Sequence, residues 1–376
     1  MRLLRTRRAL YLLLRAIPIL IVLLLAGIVA FSLSSPAIKL LFRPTPEAAR
    51  HPGKAAGVAN YGRDEVDTFY TYPEWYIVWS YQSKADFQQK SLPSGYPYFG
   101  DIGQFWQAYS RMYAATRNVY PFATGDHIVL VVIGSSFAVE YTLKGLYEKT
   151  IGRFSEWTSG NQMVAEDKYA AQVAANYAAF VHMRPFYEFH FRHALYGLWR
   201  YTPFRATHLL RTVERRIWLS LDYAVESVYC ELIELATHAT YGFEDVNTAA
   251  WIEFPAEAKQ GVLGRIYSDH LAKDLGPTAA IVEIPRYQTF TTDARTLMEA
   301  GAHFRQIAGN ELIVLSGVVP SGWTNPAPNL QLLLSQPVLS DRTKTRVVLL
   351  TRVPDLHETV PLLESHGMAI EHLYDY

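Results

Sequence analysis

Residues 16–33 read AIPILIVLLLAGIVAFSL, a stretch of eighteen residues without a single charge. A helix of that length rises about 27 Å, close to the roughly 30 Å hydrocarbon thickness of a bilayer. The basic residues ahead of it are Arg2, Arg5, Arg7, Arg8 and Arg15. We therefore expect one membrane-spanning helix within residues 1–35 and a protein held at a membrane.

A cleaved signal peptide is the alternative interpretation of this N-terminus, because it has the same basic start. Its apolar run is shorter, roughly 7 to 15 residues, and it ends in a small-x-small site. Here Ser32-Leu33-Ser34 is a poor site with Pro36 close behind it. A retained signal-anchor is therefore favoured. The arginines before the span predict a cytoplasmic N-terminus, with the bulk of the chain periplasmic or extracytoplasmic in a bacterial envelope.

The composition narrows the classes of partner. The net charge is zero, but the first fifty residues carry eight basic side chains and one acidic side chain, so the remainder has no basic excess. No nucleic-acid-binding signature is present, and nucleic acid is not an expected partner. The single cysteine, Cys230, cannot form an internal disulfide. Aromatic residues make up 14% of the chain, which is typical of a Tyr-rich core, a membrane interface or a ligand pocket.

The pattern along the chain predicts an α+β protein. Residues 36–66 are rich in Pro, Gly and Ala and are interpreted as a linker. Residues 67–275 are predicted to form a mostly α-helical domain, since apolar residues recur with the helical period. The predicted helices are 101–117, 127–148, 167–182 and 211–238. In the second of them the β-branched run 128–133 leaves a strand open as an alternative.

Residues 278–376 show a different pattern, with short β-branched runs between helical segments. The predicted strands are 280–284, 304–319 with a break at Gly309-Asn310, 330–339, 346–353 and 368–374, and the predicted helices are 292–300 and 355–366. This order predicts a ferredoxin-like α+β sandwich, a fold that hosts many unrelated functions. No internal repeat is visible in the sequence.

Two charged residues fall within the most apolar predicted helix. Glu140 and Lys144 are four residues apart, on the same helix face as Ser136, and can form an ion pair along the helix. Buried charges are costly unless they are paired. This pair is therefore either a structural ion pair or a catalytic pair.

Histidine and carboxylate side chains suggest a metal site. His190 and His193 lie in one segment, while Glu231, Glu234 and His238 share one face of a predicted helix. These side chains are the ligands of zinc and of non-haem iron. The spacing Glu-x-x-x-His differs from the Glu-x-x-His of di-iron bundles, and the chain contains no His-Glu-x-x-His motif. A solvated polar face is the alternative.

The segment 184–216 contains seven arginines and two glutamates among many aromatic residues. Guanidinium groups suit anionic lipid headgroups, and aromatic rings suit the acyl boundary. The candidate membrane- or ligand-binding residues are Arg184, Arg192, Trp199, Arg200 and Arg205. The alternative is that these arginines pair with the acidic residues of the C-terminal half.

Other catalytic motifs are weak or absent. Residues 134–137, Gly-Ser-Ser-Phe, begin like a nucleophile elbow, but Phe137 occupies the place of the second glycine. No dinucleotide-binding or phosphate-binding glycine loop is present in the sequence. Serine-nucleophile chemistry and nucleotide binding by these routes are not supported.

These observations lead to three functional hypotheses. The first is a single-span membrane protein whose helical domain lies at the bilayer surface and binds a lipid-like or hydrophobic ligand or a membrane protein partner. The second is a hydrolase or oxidoreductase that uses Zn or non-haem Fe on a membrane-derived substrate. The third is a structural subunit of a larger envelope complex.

Overall fold

The computed structural model describes residues 62–204, 206–241, 247–255, 259, 261–262, 271–327 and 330–375. The predicted membrane-spanning helix of residues 1–35, most of the predicted linker 36–66, and Arg205 lie outside these residues. The predicted signal-anchor therefore stays a prediction from sequence.

The first part of the described chain is helical, as the apolar periodicity predicts. Its α-helices are α1 (Asp67–Gln88), α2 (Tyr98–Thr116), α3 (Thr124–Tyr147), α4 (Arg153–Thr158), α5 (Ala165–Val181), α6 (Phe191–Tyr201) and α7 (Leu209–Tyr241). A π-helix, Glu148–Gly152, joins α3 to α4. The run 128–133 is therefore part of a helix and not a strand, because it belongs to a continuous helical stretch from Thr124 to Thr158.

Aromatic side chains form much of the core between α1, α2 and α3. Tyr76, Phe105, Phe137 and Tyr141 are each at most 2% exposed and belong to one cluster. Gly134 allows α3 to approach this cluster, since an added Cβ would lie 2.1 Å from Cε1 of Phe105. This close packing accounts for the glycine that begins the elbow-like sequence at residues 134–137.

The second part of the chain contains two antiparallel four-stranded sheets. The strands are β1 (Asn247–Glu253), β2 (Leu271–Asp274), β3 (Ala279–Pro285), β4 (His303–Ile307), β5 (Leu312–Pro320), β6 (Gln331–Pro337), β7 (Lys344–Arg352) and β8 (Ala369–Leu373). Two further helices are α8 (Gln288–Glu299) and α9 (Leu356–Ser365). β1 and β2 lie inside the range predicted to be helical. The last long helix of the first part, α7, therefore ends at Tyr241, and the remainder of the range predicted to be helical contains strands as well as helical residues at 259 and 261–262.

The two sheets have the same topology. In each of them three strands are followed by a helix and a fourth strand, and the order across the sheet is second, third, first, fourth. The fold thus contains a structural repeat that the sequence does not reveal. The α+β prediction is confirmed at the level of mixed helix and sheet. A ferredoxin-like sandwich over residues 278–376 is not shown. The strands of that range belong to two different sheets, and the first sheet also contains β1, which lies before residue 278.

The second sheet lies between the helices of the first part of the chain, α1 in particular, and the core that it shares with the first sheet. Successive side chains of a strand point to opposite faces. On β5, Leu315 belongs to the core shared with the first sheet, whereas Val314 packs with Tyr72 and Trp75 of α1. β5 is therefore buried on both faces, and its outer face packs against α1.

Candidate functional site

A cavity of about 70 Å³ lies among α1, α3, α5 and α7. One buried water needs roughly 10 to 15 Å³ by a comparable measure, so the cavity has room for several. Its lining carries six carboxyl or ammonium side chains: Glu148, which pairs with Arg215, and a group of five formed by Lys84, Glu140, Lys144, Asp222 and Glu226. We call these five residues the lysine cluster. Aromatic rings form a large part of the remaining wall, including Tyr81, Tyr177, Trp218 and Tyr223.

Lys144 is the centre of this cluster. Its Nζ lies 2.8 Å from Oε1 of Glu140, 3.1 Å from Oδ1 of Asp222 and 2.9 Å from Oε1 of Glu226. All four side chains are 15 to 19% exposed, so the cluster is mostly enclosed but reaches solvent. Burial opposes the charge on Lys144, but the three carboxylates outweigh burial and raise the pKa of its ammonium group. Lys144 therefore stays protonated.

The acids of the cluster differ from one another. The Tyr81 hydroxyl donates a 2.7 Å hydrogen bond to Glu140. Burial favours the neutral acid of Glu140, but the ammonium groups of Lys144 and Lys84 outweigh burial and lower its pKa. At Glu226 burial is the larger influence, and it raises the pKa to about 7 despite the bond from Lys144. One carboxyl of the cluster can thus exchange a proton near neutral pH.

Lys84 faces the same cavity without a counter-ion of its own. Its Nζ lies 5.4 Å from the ring centroid of Tyr81 and 5.3 Å from that of Tyr141. Within the described part of the chain, it has no hydrogen-bond or ion-pair partner. Burial is the main cause, and Lys144 the second, of a lowered pKa at Lys84. The cavity is therefore lined by one amine whose pKa is raised, Lys144, and one whose pKa is lowered, Lys84.

The predicted pair of Glu140 and Lys144 is present and lines this cavity. Its catalytic role stays a prediction. Sequence reasoning missed Lys84, Asp222 and Glu226. The spacing of four between Asp222 and Glu226 on α7 was a usable signal, whereas Lys84 joins the cluster only through the packing of α1 against α3.

The predicted metal ligands do not form a ligand cluster among the described residues. The His190 and His193 rings lie with centroids 5.5 Å apart, and both residues are exposed. Glu231 forms a 2.6 Å ion pair with Arg192, and the side chain of His238 lies outside the described atoms. Among the described residues, no group of three or more His, Cys, Asp or Glu side chains could hold a metal ion. The zinc or iron site stays a prediction without support from these residues.

The arginines of segment 184–216 fall into two groups. Arg184 and Arg192 are exposed and pair with Glu188 and Glu231 at 3.4 and 2.6 Å. Arg200 is exposed, and Trp199 is 57% exposed with its indole N–H donating to Ser220. The remaining described arginines of the segment are buried: Arg211, Arg215 and Arg216. The carboxylates that bind these three arginines lie mainly at residues 148–167. The alternative interpretation, in which the arginines pair with acidic residues of the C-terminal half, therefore applies only to Arg192.

The buried group forms what we call the arginine network. Arg211 is fully buried and donates to both carboxylate oxygens of Asp167, at 2.7 and 3.3 Å. Its Nη1 donates to Ser155, Glu214 and the carbonyl of Gly152. Arg215 donates to Glu148 at 2.7 Å and lies 3.0 Å from Asp167. The network ties α7 to α4, α5 and the π-helix.

An apolar surface covers the outer side of the same helices. Its exposed members are Leu143, Leu146, Ile151, Phe154 and Trp157 on the stretch from α3 to α4, and Leu210, Val213 and Ile217 on α7. We call these eight residues the apolar face. The two helices meet beneath it, where the rings of Tyr147 and Trp218 stack at 3.6 Å. The stretch from Thr124 to Thr158 has the length and composition of a membrane span, with 33% of its most apolar window buried, but core helices also meet those criteria.

A second buried cluster lies where α1 meets the second sheet. The rings of His372 and Trp75 stack with their centroids 3.7 Å apart. The ring of His182 is also stacked on the Trp75 indole, with a centroid distance of 6.2 Å. The Nε2 atoms of both histidines are buried without a hydrogen-bond partner among the described residues. Burial lowers the pKa of both imidazoles, so both are neutral. The stacked rings pack α1 against the second sheet.

Similarity to other proteins does not add to this description. Compared with family models, with curated proteins and with solved structures, the chain gives no match. A function has to be argued from the site itself.

Proposed function

We propose that this chain is a membrane-anchored protein whose helical part lies against the bilayer surface through the apolar face. The N-terminal span at residues 16–33 and the extracytoplasmic placement of the folded part belong to this proposal. The observation that carries it is the exposure of large apolar side chains on two adjoining helices. Phe154 and Trp157 are 59% and 69% exposed, and Ile217 is 63% exposed.

Soluble proteins rarely leave such side chains together at the surface. A contiguous exposed apolar patch larger than a few hundred Å² is typical of a binding surface for a protein or a membrane. The apolar face repeats at helical spacing on α7, at residues 210, 213 and 217. A helix lying in the membrane interface buries an apolar stripe of this kind.

Basic side chains accompany the apolar face. Lys149 and Arg153 lie on the same helical stretch and are exposed, and Arg200 lies beside Trp199 at the end of α6. Cationic groups at the rim of an apolar surface are attracted to anionic headgroups. The lipid bilayer is therefore the partner that fits this surface best, and it is already close if the N-terminal segment is embedded.

Quenching of tryptophan fluorescence by brominated lipids tests this proposal on the full chain. The first tryptophan is Trp75, so the N-terminal segment contributes no signal. With the chain reconstituted in vesicles containing bromine in the upper acyl region, we expect quenching that decreases strongly in W157F/W199F. The matched control is W323F, which removes a partly buried tryptophan of the β region and should leave the quenched fraction unchanged.

Equal quenching in wild type and W157F/W199F would contradict the proposal. The face would then cover a protein partner or another copy of this chain, and not lipid.

A further inference from the structure

We propose that Lys84 is a nucleophilic amine that forms a Schiff base with a small, neutral aldehyde or ketone bound in the cavity among α1, α3, α5 and α7. This inference is independent of membrane docking. It rests on a contrast between two lysines that line one cavity.

The contrast is one of partners. Three carboxylates surround the ammonium group of Lys144 within 3.1 Å. Lys84 has aromatic rings near its Nζ and, among the described residues, no carboxylate within ion-pair distance. A lysine that is desolvated and lies near a second cation is the usual form of an amine nucleophile, because both influences favour the neutral amine.

Charged and titratable groups approach Lys84 from each neighbouring helix. They are Tyr81 on α1, Glu140, Tyr141 and Lys144 on α3, Tyr177 on α5, and Asp222, Tyr223 and Glu226 on α7, and the same cavity is also lined by Tyr98, Glu148 and Arg215. Burial and Lys144 lower the pKa of Lys84, while Glu140, Asp222 and Glu226 act in the opposite direction. The net effect increases the fraction of free amine at neutral pH.

The lining indicates the class of substrate. Tyr81, Tyr177, Tyr223 and Trp218 supply apolar surface, so a compound with a short hydrocarbon part fits the wall. Three carboxylates face two lysines, so a substrate that carries its own carboxylate would be repelled. A neutral carbonyl compound of a few heavy atoms is therefore favoured over an α-keto acid.

The reaction needs no group outside the cavity and the carbonyl compound. The lone pair of the Lys84 Nζ attacks the carbonyl carbon, the C–O double bond opens, and the nitrogen passes a proton to the oxygen to give a carbinolamine. A carboxyl of the cluster then gives a proton to the hydroxyl, which leaves as water while the C–N double bond forms. The proton that nitrogen loses returns to that carboxylate. Glu226 is suited to this step, since burial raises its pKa to about 7.

Reductive trapping on the full chain tests the proposal. The membrane-reconstituted protein is treated with propionaldehyde and cyanoborohydride at pH 7, and alkylation of each lysine is followed by peptide mass spectrometry. Burial and Lys144 lower the pKa of Lys84 and so increase its fraction of free amine, and we expect Lys84 to react at least about threefold faster than the exposed Lys90. Glyoxylate, which is anionic, should show no such preference for Lys84.

Two variants test the role of Lys84 as the nucleophile and the role of Glu226 as the proton donor separately. K84R keeps a positive charge at the site and should abolish the fast reaction while Lys90 is modified at the wild-type rate. E226Q cannot supply the proton and should slow trapping at Lys84 alone, by on the order of tenfold. The proposal is wrong if Lys84 of the wild-type chain reacts no faster than Lys90, or if glyoxylate prefers Lys84 over Lys90 as strongly as propionaldehyde does. The wild-type comparison does not depend on the folding of any variant.

Discussion

The arginine network and the lysine cluster both contain residues of α7, with Arg215 and Asp222 about two turns apart on that helix, yet the two groups are built differently. In the network Arg211 is fully buried and all three of its guanidinium nitrogens donate hydrogen bonds. In the cluster the side chains of Lys144 and its carboxylates are 15 to 19% exposed and surround a cavity, and Lys84 has no counter-ion there. The difference separates charges that hold helices together from charges that remain available to a ligand.

The physical reason is the cost of desolvation. A charge removed from water is tolerated when hydrogen bonds and an opposite charge replace the water it loses. The guanidinium of Arg211 has such replacements, whereas the ammonium group of Lys84 has ring faces nearby and, among the described residues, no carboxylate at ion-pair distance. Ionisable groups such as Lys84, whose pKa is shifted by burial in a cavity, are typical of functional sites.

The largest effect is expected from breaking the arginine network. R211M keeps much of the volume but leaves Asp167 and Glu214 without their shared partner. Removing one member of a buried ion pair costs about 3 to 5 kcal/mol, so we expect the free energy of unfolding to fall by that amount in denaturant titrations.

The matched control is R192M. Arg192 and Glu231 also form a close pair, but their side chains are 73% and 48% exposed. Exposed pairs contribute about 0 to 1 kcal/mol. If R211M is no more destabilising than R192M, the network is not the structural element described here.

A smaller loss is expected in the lysine cluster. K144M removes the ammonium group that three carboxylates share, but these carboxylates keep partial contact with water and with the cavity. We expect a loss of about 1 to 3 kcal/mol at pH 8, between the exposed and the fully buried cases. The loss should shrink as the pH falls toward 4, because the carboxylates can then bind protons; a loss that grows at low pH would contradict this account.

The pH dependence of stability sharpens the comparison further. Burial raises the pKa of Glu226 from its ordinary value of 4.5 to about 7, so between these values the folded chain binds more protons than the unfolded chain. Stability from this group is therefore lost as the pH rises from 4.5 through 7. Gln cannot ionise, so E226Q should gain up to about 3 kcal/mol relative to wild type between pH 4.5 and pH 8. Thermal unfolding of both chains across this range measures the gain, and a difference that does not change with pH would be inconsistent with it.

The smallest effect is expected outside both clusters, on the apolar face. Phe154 is 59% exposed, so F154S should change the free energy of unfolding by less than about 0.5 kcal/mol. A loss above about 2 kcal/mol would show that the ring packs in the folded chain and that the face is not free to contact lipid.

The sequence predicted what depends on local periodicity. The helices of the first part and most strands after residue 278 follow from apolar spacing, and the pair Glu140–Lys144 follows from a separation of four on one helix. β1 was missed because it is buried on both faces and includes Ala249 and Ala250, so it lacks the alternation of a half-buried strand.

Contacts between distant segments could not be predicted in this way. Lys84 and Lys144 are brought together by the packing of α1 against α3, and Arg211 meets Asp167 across 44 residues. The repeated sheet topology is also a property of the backbone, since the two halves fill the same strand order with different side chains.

The protonation state of Lys84 tests the central distinction most directly. Nitrogen-detected NMR of the lysine side-chain ammonium groups, with Lys84 assigned through K84R, gives a titration curve for each amine in the folded chain. We expect the titration midpoint of Lys84 to lie below that of an unburied lysine, about 10.4, and the midpoint of Lys144 to lie above it. A Lys84 midpoint at or above about 10.4 would contradict this distinction.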